Sequence, residues 1–391
     1  MKILYILPYV PSPIRVRPYN FIKSLSKRNE VAVLSLVTGE EELKDAQNLR
    51  NLCSEIELIP QDRIRSYLNC IKALPTSTPL SVAYCHSPRL IMKSREMCKR
   101  LKPDVIHVEF IRAAYVADHL PVNIPRIIDG VDSRVGYLKQ IIKINPNPWS
   151  KILSFEELYK MKRYEPKIYS KYDKVIMISE KDRAATEKLN PNLKVEVISN
   201  GIDTEYFKPL EIEREPETIV FSGKMSYYPN AEAVLYFYKE ILPLIRKKRP
   251  RCKFVIVGKN PPKKVRALNA DPSITVTDYV EDIRPYLAKV TVAVVPLRIG
   301  VGVQNKILEA MAMETPVVAT PLAHGNLDAI SGNDLLIADT PNKFAENVLT
   351  FFKNKDFANK IGKSGREYID EHHSWEKETK KLEKVYKETL Q

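Results

Sequence analysis

Apolar positions along the chain form short runs that are separated by amphipathic segments of helical spacing. The first runs read KILYIL, VAVLSLV, IELI, DVIHVE and PRIID, and a second series in the later half includes TIVFSG, CKFVIVG and VTVAVVPL. Apolar strands that alternate with helices are typical of a parallel sheet covered on both faces. The pattern therefore predicts an α/β protein with two Rossmann-like, doubly wound parallel-sheet domains.

Length and one polar stretch indicate where the domains divide. At 391 residues, the chain exceeds a single ordinary core. The stretch SNGIDTEYFKPLEIEREPET contains Asn-Gly, two prolines and several acidic residues, which is typical of a linker. We expect an N-terminal domain over 1–198 and a C-terminal domain over 199–374. The charged amphipathic helix predicted over 375–391 has an apolar stripe, and we expect it to pack back on the first domain.

The segment 296–320, PLRIGVGVQNKILEAMAMETPVVAT, places a glycine turn before an almost entirely apolar helix. Gly300 and Gly302 form the turn, and the helix is predicted from about Val303 to Met313. The free N–H groups at the start of such a helix suit an anion.

A carboxylate lies in the middle of this predicted helix. Glu309 needs a partner in apolar surroundings, and Lys306 projects from the same side of the helix. Two interpretations follow from these residues. Either the helix binds phosphate and hydroxyl groups of a ligand, or it is a core helix with a Lys306–Glu309 ion pair at its exposed edge.

Polar residues also follow strands of the first predicted sheet, at the edge where open α/β domains bind ligands. Arg15 and Arg17 come after the first strand and its prolines. They either meet an anionic acceptor or are ordinary solvated charges. His107 and Glu109 end the strand DVIHVE and are placed to face a ligand, although a single histidine is more often structural.

Another strand end carries two aspartates around a glycine. Asp129 and Asp132 flank Gly130 in the sequence IIDGVDS. Asp132 is a candidate for the acceptor side, but Asp132 or Ser133 could equally be the N-cap of the next helix.

Composition excludes several classes of protein. The five cysteines are odd in number and form no CxxC pair, so neither a disulfide framework nor a zinc site is implied. No apolar run approaches the roughly 18 residues of a transmembrane helix. The opening run MKILYIL is broken by Pro8 and is read as a first strand instead of a signal peptide. These features predict a cytoplasmic protein.

The net charge of +14 also needs a partner or an explanation. The basic residues are spread along the chain, with small clusters at 246–249 and 89–102, and no nucleic-acid-binding motif accompanies them. We therefore expect no nucleic acid. Either an anionic membrane surface is a partner, with the protein peripheral at the inner face of the cell membrane, or the basic surface is simply solvated.

Segment 296–320, together with SNGIDTEYF and VFSGKM, resembles family 4 glycosyltransferases of the GT-B fold. YPNAEAVLYF, GVQNKILEAMA and the VDS that follows PRIID resemble the sugar-transferase branch associated with PEP-CTERM exopolysaccharide systems. In that family, two Rossmann-like domains face each other across a cleft, the C-terminal one holding a nucleotide-sugar and the N-terminal one the acceptor. The resemblance implies a retaining hexosyltransferase that needs no cofactor. A nucleoside-diphosphate-sugar is its co-substrate, and the acceptor is a glycan or is lipid-linked.

The resemblance also assigns donor-site residues. Glu309 matches a ligand of the ribose hydroxyls, and Gly223 and Lys224 match diphosphate contacts, with Lys306 as a second such contact. The donor site implied by the resemblance is formed by Gly223, Lys224, Gly258, Val280, Gly300, Gly302, Val303, Lys306 and Glu309.

Three departures from the family pattern bear on the chemistry. Relatives often carry a glutamate eight positions before the Glu309 position, where this chain has Val301, and often a histidine at the position of Glu109. Many relatives also carry a second basic residue shortly after the Lys224 position, but none is apparent here and Asn230 lies nearby. No Asp-x-Asp motif is present, so the site is expected to work without a metal ion. No catalytic side chain is assigned, and the candidates are His107, Glu109 and Asp129. A nucleotide-sugar epimerase of the same fold and a non-catalytic nucleotide-sugar-binding scaffold are the alternatives.

Overall fold

The computed structural model describes residues 1–13, 15–144, 147–299, 304–325 and 327–390. The chain divides into two compact units. The N-terminal unit comprises Met1–Asn200 together with Trp375–Gln391, and the C-terminal unit comprises Gly201–Ser374. Among the described residues, no helix has the length and apolar character that crossing a membrane requires.

The N-terminal unit is built on a parallel sheet with the strand order β3-β2-β1-β4-β5-β6-β7. Its strands are β1 Lys2–Leu7, β2 Glu30–Val37, β3 Glu55–Pro60, β4 Val105–Glu109, β5 Arg126–Val131, β6 Lys174–Met177 and β7 Val195–Val197. Because the winding direction reverses between β1 and β4, the carboxyl ends of these two strands border the crevice where doubly wound sheets bind ligands.

Helices cover both faces of this sheet. They are α1 Val16–Leu25, α2 Glu40–Arg50, α3 Arg63–Ala73, α4 Leu80–Cys85, α5 Pro88–Leu101, α6 Arg134–Ile144, α7 Pro148–Tyr169 and α8 Glu180–Glu187. Side chains of β1 alternate between two core layers: Leu4 and Ile6 pack in one, while Ile3, Tyr5 and Leu7 pack in the other. This double burial explains why the strands are apolar at nearly every position.

The C-terminal unit has a second parallel sheet, of order β10-β9-β8-β11-β12-β13. Its strands are β8 Thr218–Ser222, β9 Lys253–Val257, β10 Ile274–Val276, β11 Val292–Val295, β12 Val317–Ala319 and β13 Leu336–Ile337. Its helices are α9 Tyr228–Tyr236, α10 Leu242–Arg246, α11 Lys263–Arg266, α12 Arg284–Ala288, α13 Asn305–Ala312, α14 Pro321–His324, α15 Pro341–Lys353 and α16 Lys355–His372. Here the winding reverses between β8 and β11, which places the ligand crevice at their carboxyl ends.

The last helix, α17 Trp375–Thr389, belongs to the N-terminal unit. Its apolar stripe, which includes Leu382 and Tyr386, is buried in the same core layer as Tyr5. Trp375 meets the ring of Phe21 edge-on, with 5.3 Å between the ring centroids. The chain thus leaves the N-terminal unit, forms the C-terminal unit and then returns.

Candidate functional site

The carboxyl ends of β8 and β11 bring together residues that lie far apart in the sequence. Gly223 and Lys224 follow β8 directly, and Lys306 lies in the first turn of α13, the helix that follows β11. Asn230, in the first turn of α9, joins the two loops. Its Nδ2 donates to the Lys224 carbonyl at 2.9 Å, and its Oδ1 accepts a hydrogen bond from Lys306 Nζ.

The ammonium group of Lys306 is held in an unusual environment for a cation. The side chain is only 9% exposed, and Nζ lies 4.4 Å from the centroid of the Phe221 ring. Burial lowers the pKa of Lys306 to about 7. A buried cation whose hydrogen-bond partner is a neutral amide gains from an anion at the same point.

Glu309 lies one turn further along α13 and is half-buried. Burial raises its pKa to about 7, and the positive charge of Lys306 opposes that shift. Within the described residues, no ion pair joins the two side chains, because Lys306 turns toward Asn230 instead. The structure therefore does not support the interpretation of α13 as a core helix with a Lys306–Glu309 ion pair at its exposed edge.

Two glycines allow the loops after β8 and β9 to pack closely. Gly223 has φ +145°, and a Cβ there would lie 2.8 Å from Asn230 Nδ2 and 2.9 Å from Lys306 Nζ. Gly258 has φ +154°, and a Cβ there would lie 1.9 Å from the carbonyl oxygen of Gly223. A side chain at either position would fill the space in front of the Lys306 ammonium or displace the loop that borders it.

The remaining predicted donor residues are only partly placed. Val280 is half-buried in the loop after β10, and that loop is joined to Gly258 by a hydrogen bond from the Gly258 N–H to Thr277 Oγ1 at 3.3 Å. Gly300, Gly302 and Val303, predicted to form the turn and helix start, lie outside the described residues, as does Val301.

The N-terminal unit carries a second polar cluster at the carboxyl ends of β1, β4 and β5. Arg17 is buried, and its Nε donates to Asp129 Oδ2 at 2.8 Å. Its Nη1 donates to the Ser199 carbonyl and to Asn200 Oδ1. Arg17 is thus neither a solvated charge nor an exposed cation, because the burial of Asp129 requires a countercharge.

Arg15, the other predicted acceptor-side arginine, is also engaged within the unit. It pairs with Glu42, donates to the Val10 carbonyl at 3.0 Å and lies over the ring of Tyr9. These contacts of Arg15 therefore hold the loop after β1 against the N-terminal unit.

His107 is fully buried between two tyrosines. Its ring stacks on Tyr5 with 4.0 Å between centroids, and its Nδ1 lies 2.7 Å from the hydroxyl of Tyr386 on α17. Burial lowers the pKa of His107 to about 3, so the ring is neutral at physiological pH. These contacts give His107 a structural surrounding and no solvent access. From the sequence, Tyr386 is only one residue of the apolar stripe of the helix predicted over 375–391.

Glu109 is the least satisfied member of this cluster. It is fully buried, and neither carboxylate oxygen has a hydrogen-bond partner among the described residues. His107, Glu109 and Asp129 each offer a ligand atom within 4.8 Å of the others, a spacing that could hold a cation. The guanidinium of Arg17 already contacts Asp129, so a metal ion at this point would meet a like charge.

Strain and capping mark the same sheet edge. Phe110, just after β4, and Val131, at the end of β5, have φ values of 69° and 65°, which non-glycine residues rarely adopt and which cluster at functional sites. Ser133 is the helix cap, because its Oγ accepts the Gly136 N–H at 3.2 Å. Asp132 is left with its Oδ1 unpartnered among the described residues, and burial raises its pKa to about 6.

Replacing Glu109 with Gln should flatten the pH dependence of stability. Burial raises the pKa of Glu109 from 4.5 to about 7. The stability this group contributes is full below its unfolded-state pKa and is lost as the pH rises through about 7. Urea titrations should show the loss between about pH 5 and pH 8 shrinking by about 3 kcal/mol in the variant. Glu388→Gln, at an exposed position on α17, is the control, and an unchanged slope in Glu109→Gln would contradict the expectation.

Two doubly wound parallel-sheet units, each with polar residues at its reversal point, are the architecture of the GT-B fold. The family model described as Glycosyltransferase Family 4 matches residues 16–206, and the one described as Glycosyl transferases group 1 matches residues 216–354. Together they account for most of the chain, and the protein is a glycosyltransferase of the GT-B fold.

A curated relative is similar over nearly the whole length. An uncharacterized 44.6 kDa protein in the cps region of Klebsiella pneumoniae is 23% identical over 361 residues, covering 88% of each chain. Because that protein is uncharacterized, the similarity adds no activity.

Solved structures agree in fold. Sucrose-phosphate synthase from Thermosynechococcus elongatus has a TM-score of 0.72 at 15% identity, with 99% of each chain covered. TarM, an S. aureus protein, has a TM-score of 0.72 at 12% identity, again with 99% of each chain covered. Anabaena HepE in complex with UDP-glucose has a TM-score of 0.69 at 13% identity, covering 99% of this chain and 100% of HepE. At these identities, the likeness shows the fold alone.

Proposed function

We propose that this glycosyltransferase moves a hexosyl group from a nucleoside-diphosphate-sugar to a glycan or lipid-linked acceptor, without a metal ion and with retention at the anomeric carbon. The observation that carries the proposal is the buried Lys306 ammonium, held by Asn230 at the reversal point of the C-terminal sheet. An anionic diphosphate is the ligand that such a cation lacks. The UDP-glucose complex of HepE supports a nucleotide-sugar as that ligand.

We assign the donor side to the C-terminal domain, which the sequence predicts over residues 199–374. When the bond between the anomeric carbon and the diphosphate breaks, negative charge grows on the departing phosphate oxygens. Lys306 stabilises that charge from inside the site, and the exposed Lys224 stabilises it from the loop after Gly223. Glu309 accepts hydrogen bonds from the ribose hydroxyls.

The acceptor side belongs to the N-terminal unit. The acceptor hydroxyl forms the new bond to the anomeric carbon on the face that the diphosphate leaves, and its proton passes to an oxygen of the departing diphosphate. Asp132 is partly exposed, whereas the other predicted acidic residues at this sheet edge are fully buried, which makes it the best placed of them to contact that hydroxyl. His107, Glu109 and Asp129 are fully buried and are assigned to holding the strand ends in place.

The setting of the reaction follows from the sequence resemblance. We assign the protein to polysaccharide or glycoconjugate synthesis, in the branch associated with PEP-CTERM exopolysaccharide systems. It is placed in the cytoplasm, peripheral at the inner face of the cell membrane. The net charge of +14 supports the membrane part of this assignment.

Replacing Glu309 with Gln tests the donor assignment. The variant should lose hydrogen bonds of about 1.5–3 kcal/mol, so kcat/KM should fall about tenfold to hundredfold. Because the loss is at the ribose, calorimetric titration should show equal weakening for the nucleotide-sugar and the free nucleoside. Glu346→Gln, on the exposed side of α15, is the control. Full transfer with unchanged donor affinity would remove Glu309 from the site.

Two assays separate this proposal from its alternatives. Thermal-shift screening against UDP-, GDP- and ADP-sugars identifies the base, since a ligand that binds the native state stabilises it. Product analysis without any acceptor would reveal an epimerase, which needs none. Donor binding without turnover across a broad acceptor panel would instead indicate a scaffold.

A further inference from the structure

Helices α3 and α7 of the N-terminal unit expose a concentration of large apolar side chains. Half of the twenty large hydrophobic residues that are exposed in the described chain lie on these helices or directly after α3. They are Ile64, Tyr67, Leu68, Ile71, Leu74, Trp149, Ile152, Leu153, Phe155 and Tyr159. Surface helices normally turn such residues toward the core, and an exposed apolar patch marks an interaction surface. We call these ten residues the α3/α7 surface.

Helix α3 buries its small residues and exposes its large apolar residues, the opposite of an ordinary surface helix. Its buried positions are Ser66 and Ala73, which lie two turns apart and are small. The large residues Ile64, Leu68 and Ile71 follow the same helical spacing on the outer side and are 74%, 50% and 62% exposed. The stripe that sequence periodicity would assign to the core therefore faces away from it.

The two helices form one surface because a lysine joins them. Lys160, in the middle of α7, donates to the carbonyls of Ala73 and Leu74 at 2.8 and 3.2 Å. These carbonyls close the C-terminal end of α3, where a cation is favourable. Leu74, directly after α3, is the last residue of its exposed apolar stripe, and Tyr159 directly precedes Lys160 on α7, so the two stripes approach each other at this hydrogen-bonded end of α3.

The exposed charges within α3 and α7 have a single sign. The acids of α7 are turned inward: Glu156 pairs with Lys160, Glu157 accepts the Leu80 N–H at 2.6 Å, and Glu165 is buried. No acidic residue lies within α3, and the exposed Asp62 just before it is the N-cap, whose Oδ1 accepts the Ile64 N–H at 2.9 Å. The exposed charged residues of the two helices are Arg63, Arg65, Lys72, Lys162, Arg163 and Lys167.

The basic clusters that the sequence suggested for this purpose are engaged elsewhere. Arg246 donates to Asp271 at 2.7 Å, and Arg100 pairs with Glu55. Over 89–102 only Met92 is an exposed large apolar residue, and 246–249 has none, whereas α3 and α7 expose nine between them.

We infer that the α3/α7 surface docks on an anionic lipid bilayer. Large aliphatic and aromatic side chains enter the boundary between head groups and acyl chains, while flanking lysines and arginines reach the phosphates. A second copy of the chain fits poorly, because a self-complementary interface would bring the six cations against their like. The inference rests on the proposed function only for its purpose, which is to meet a lipid-linked acceptor.

Intrinsic fluorescence provides the first test. The chain has two tryptophans, of which Trp149 is 77% exposed on α7 and Trp375 is 6% exposed in the core. Phosphatidylglycerol-containing vesicles should shift the emission to shorter wavelength and sediment with the full-length protein, whereas phosphatidylcholine vesicles should do neither. High salt should weaken the binding. In Trp149→Phe, the shift should vanish while sedimentation remains. No binding to anionic vesicles at low salt would overturn the inference.

Paired variants provide the second test. Leu68→Ser with Ile71→Ser removes two exposed apolar side chains and should lower the vesicle partition coefficient about tenfold or more. Val122→Ser with Ile330→Ser, at exposed positions outside α3 and α7, should leave it unchanged. Equal binding of the two double variants would contradict the docking surface.

Separate measurements test whether the α3/α7 surface binds a second copy of the chain and whether the variants still bind the donor. Size-exclusion chromatography without lipid would show a dimer that only the Leu68→Ser, Ile71→Ser variant loses if the surface binds a second copy, and that result would overturn the inference. Donor thermal shifts should be the same in both double variants. If Leu68→Ser with Ile71→Ser loses vesicle binding but keeps its donor thermal shift, the result supports membrane docking independently of catalysis. If the wild type shows no thermal shift with any donor, that result contradicts only the proposed function.

Discussion

Replacing Lys306 with Met is expected to lower sugar transfer by about a hundredfold to a thousandfold, the range seen when a preorganised charge is removed from a site where negative charge develops. Met keeps the length of the side chain, and exchange of a buried charge for an apolar group of similar size often costs little stability. The free nucleoside should bind as before, whereas the nucleotide-sugar should bind more weakly.

The pH dependence of donor binding gives the same prediction a second readout. The pKa of Lys306 is lowered to about 7, so its charge is present below that pH and is lost as the pH rises through it. Both phosphates of a nucleotide-sugar are esterified and stay charged over this range. Donor affinity in the wild type should therefore fall between about pH 6 and pH 8.5, and this fall should be absent in Lys306→Met.

A matched variant controls for the loss of one positive charge. Lys289 is exposed at the opposite edge of the same sheet, where it pairs with Glu215 at 2.7 Å. Lys289→Met should leave transfer and donor binding intact. If Lys306→Met instead weakens the nucleoside and the nucleotide-sugar equally, Lys306 acts on the shape of the site and not on the diphosphate.

Replacing Gly258 with Ala is expected to lower the free energy of unfolding by about 3–5 kcal/mol, a large effect for one methyl group. The new Cβ would lie 1.9 Å from the Gly223 carbonyl oxygen, which is backbone and cannot rotate aside. The variant should also bind donor poorly, because relief of the overlap moves the loop in front of Lys306. Denaturant titration and calorimetry with a nucleotide-sugar measure the two effects.

Gly332 separates overlap from backbone strain. It also has a positive φ, +92°, but a Cβ there would meet nothing within 4 Å. Gly332→Ala should therefore cost only about 1 kcal/mol and leave donor binding unchanged. Similar losses in the two variants would show that the φ angle, and not the contact with Gly223, makes Gly258 necessary.

The sheets were predictable because their strands are buried on both faces. KILYIL is β1, and DVIHVE contains β4, since an apolar run without a polar face has few other places in an α/β protein. The fold prediction of two doubly wound parallel sheets is confirmed by the strand order and by the GT-B neighbours. The orientation of α3 was not predictable, because the usual rule sends Leu68 inward and Ser66 outward, the reverse of what is found.

Contacts between polar residues far apart in the sequence also could not be predicted. Asn230 joins Lys224 to Lys306, which lies 76 residues after Asn230, and a neutral amide gives no charge pattern that would reveal this contact. Tyr386 meets His107 across 279 residues, and in the sequence it is only an apolar position of the last helix. Arg17 offered a choice between a ligand contact and a solvated charge, but its partner Asp129 becomes evident only once β1 and β5 share a sheet edge.

The return of α17 has a consequence for how the protein is made. A ribosome synthesises Met1–Asn200 first, yet the core layer of that unit still lacks Trp375, Leu382, Val385 and Tyr386. Domains generally fold in the order in which they emerge, but here the earlier domain stays incomplete until the whole of Gly201–Ser374 has been translated. The nascent N-terminal unit must therefore wait with an open apolar groove, and chaperone capture of arrested chains should depend on whether α17 has left the exit tunnel.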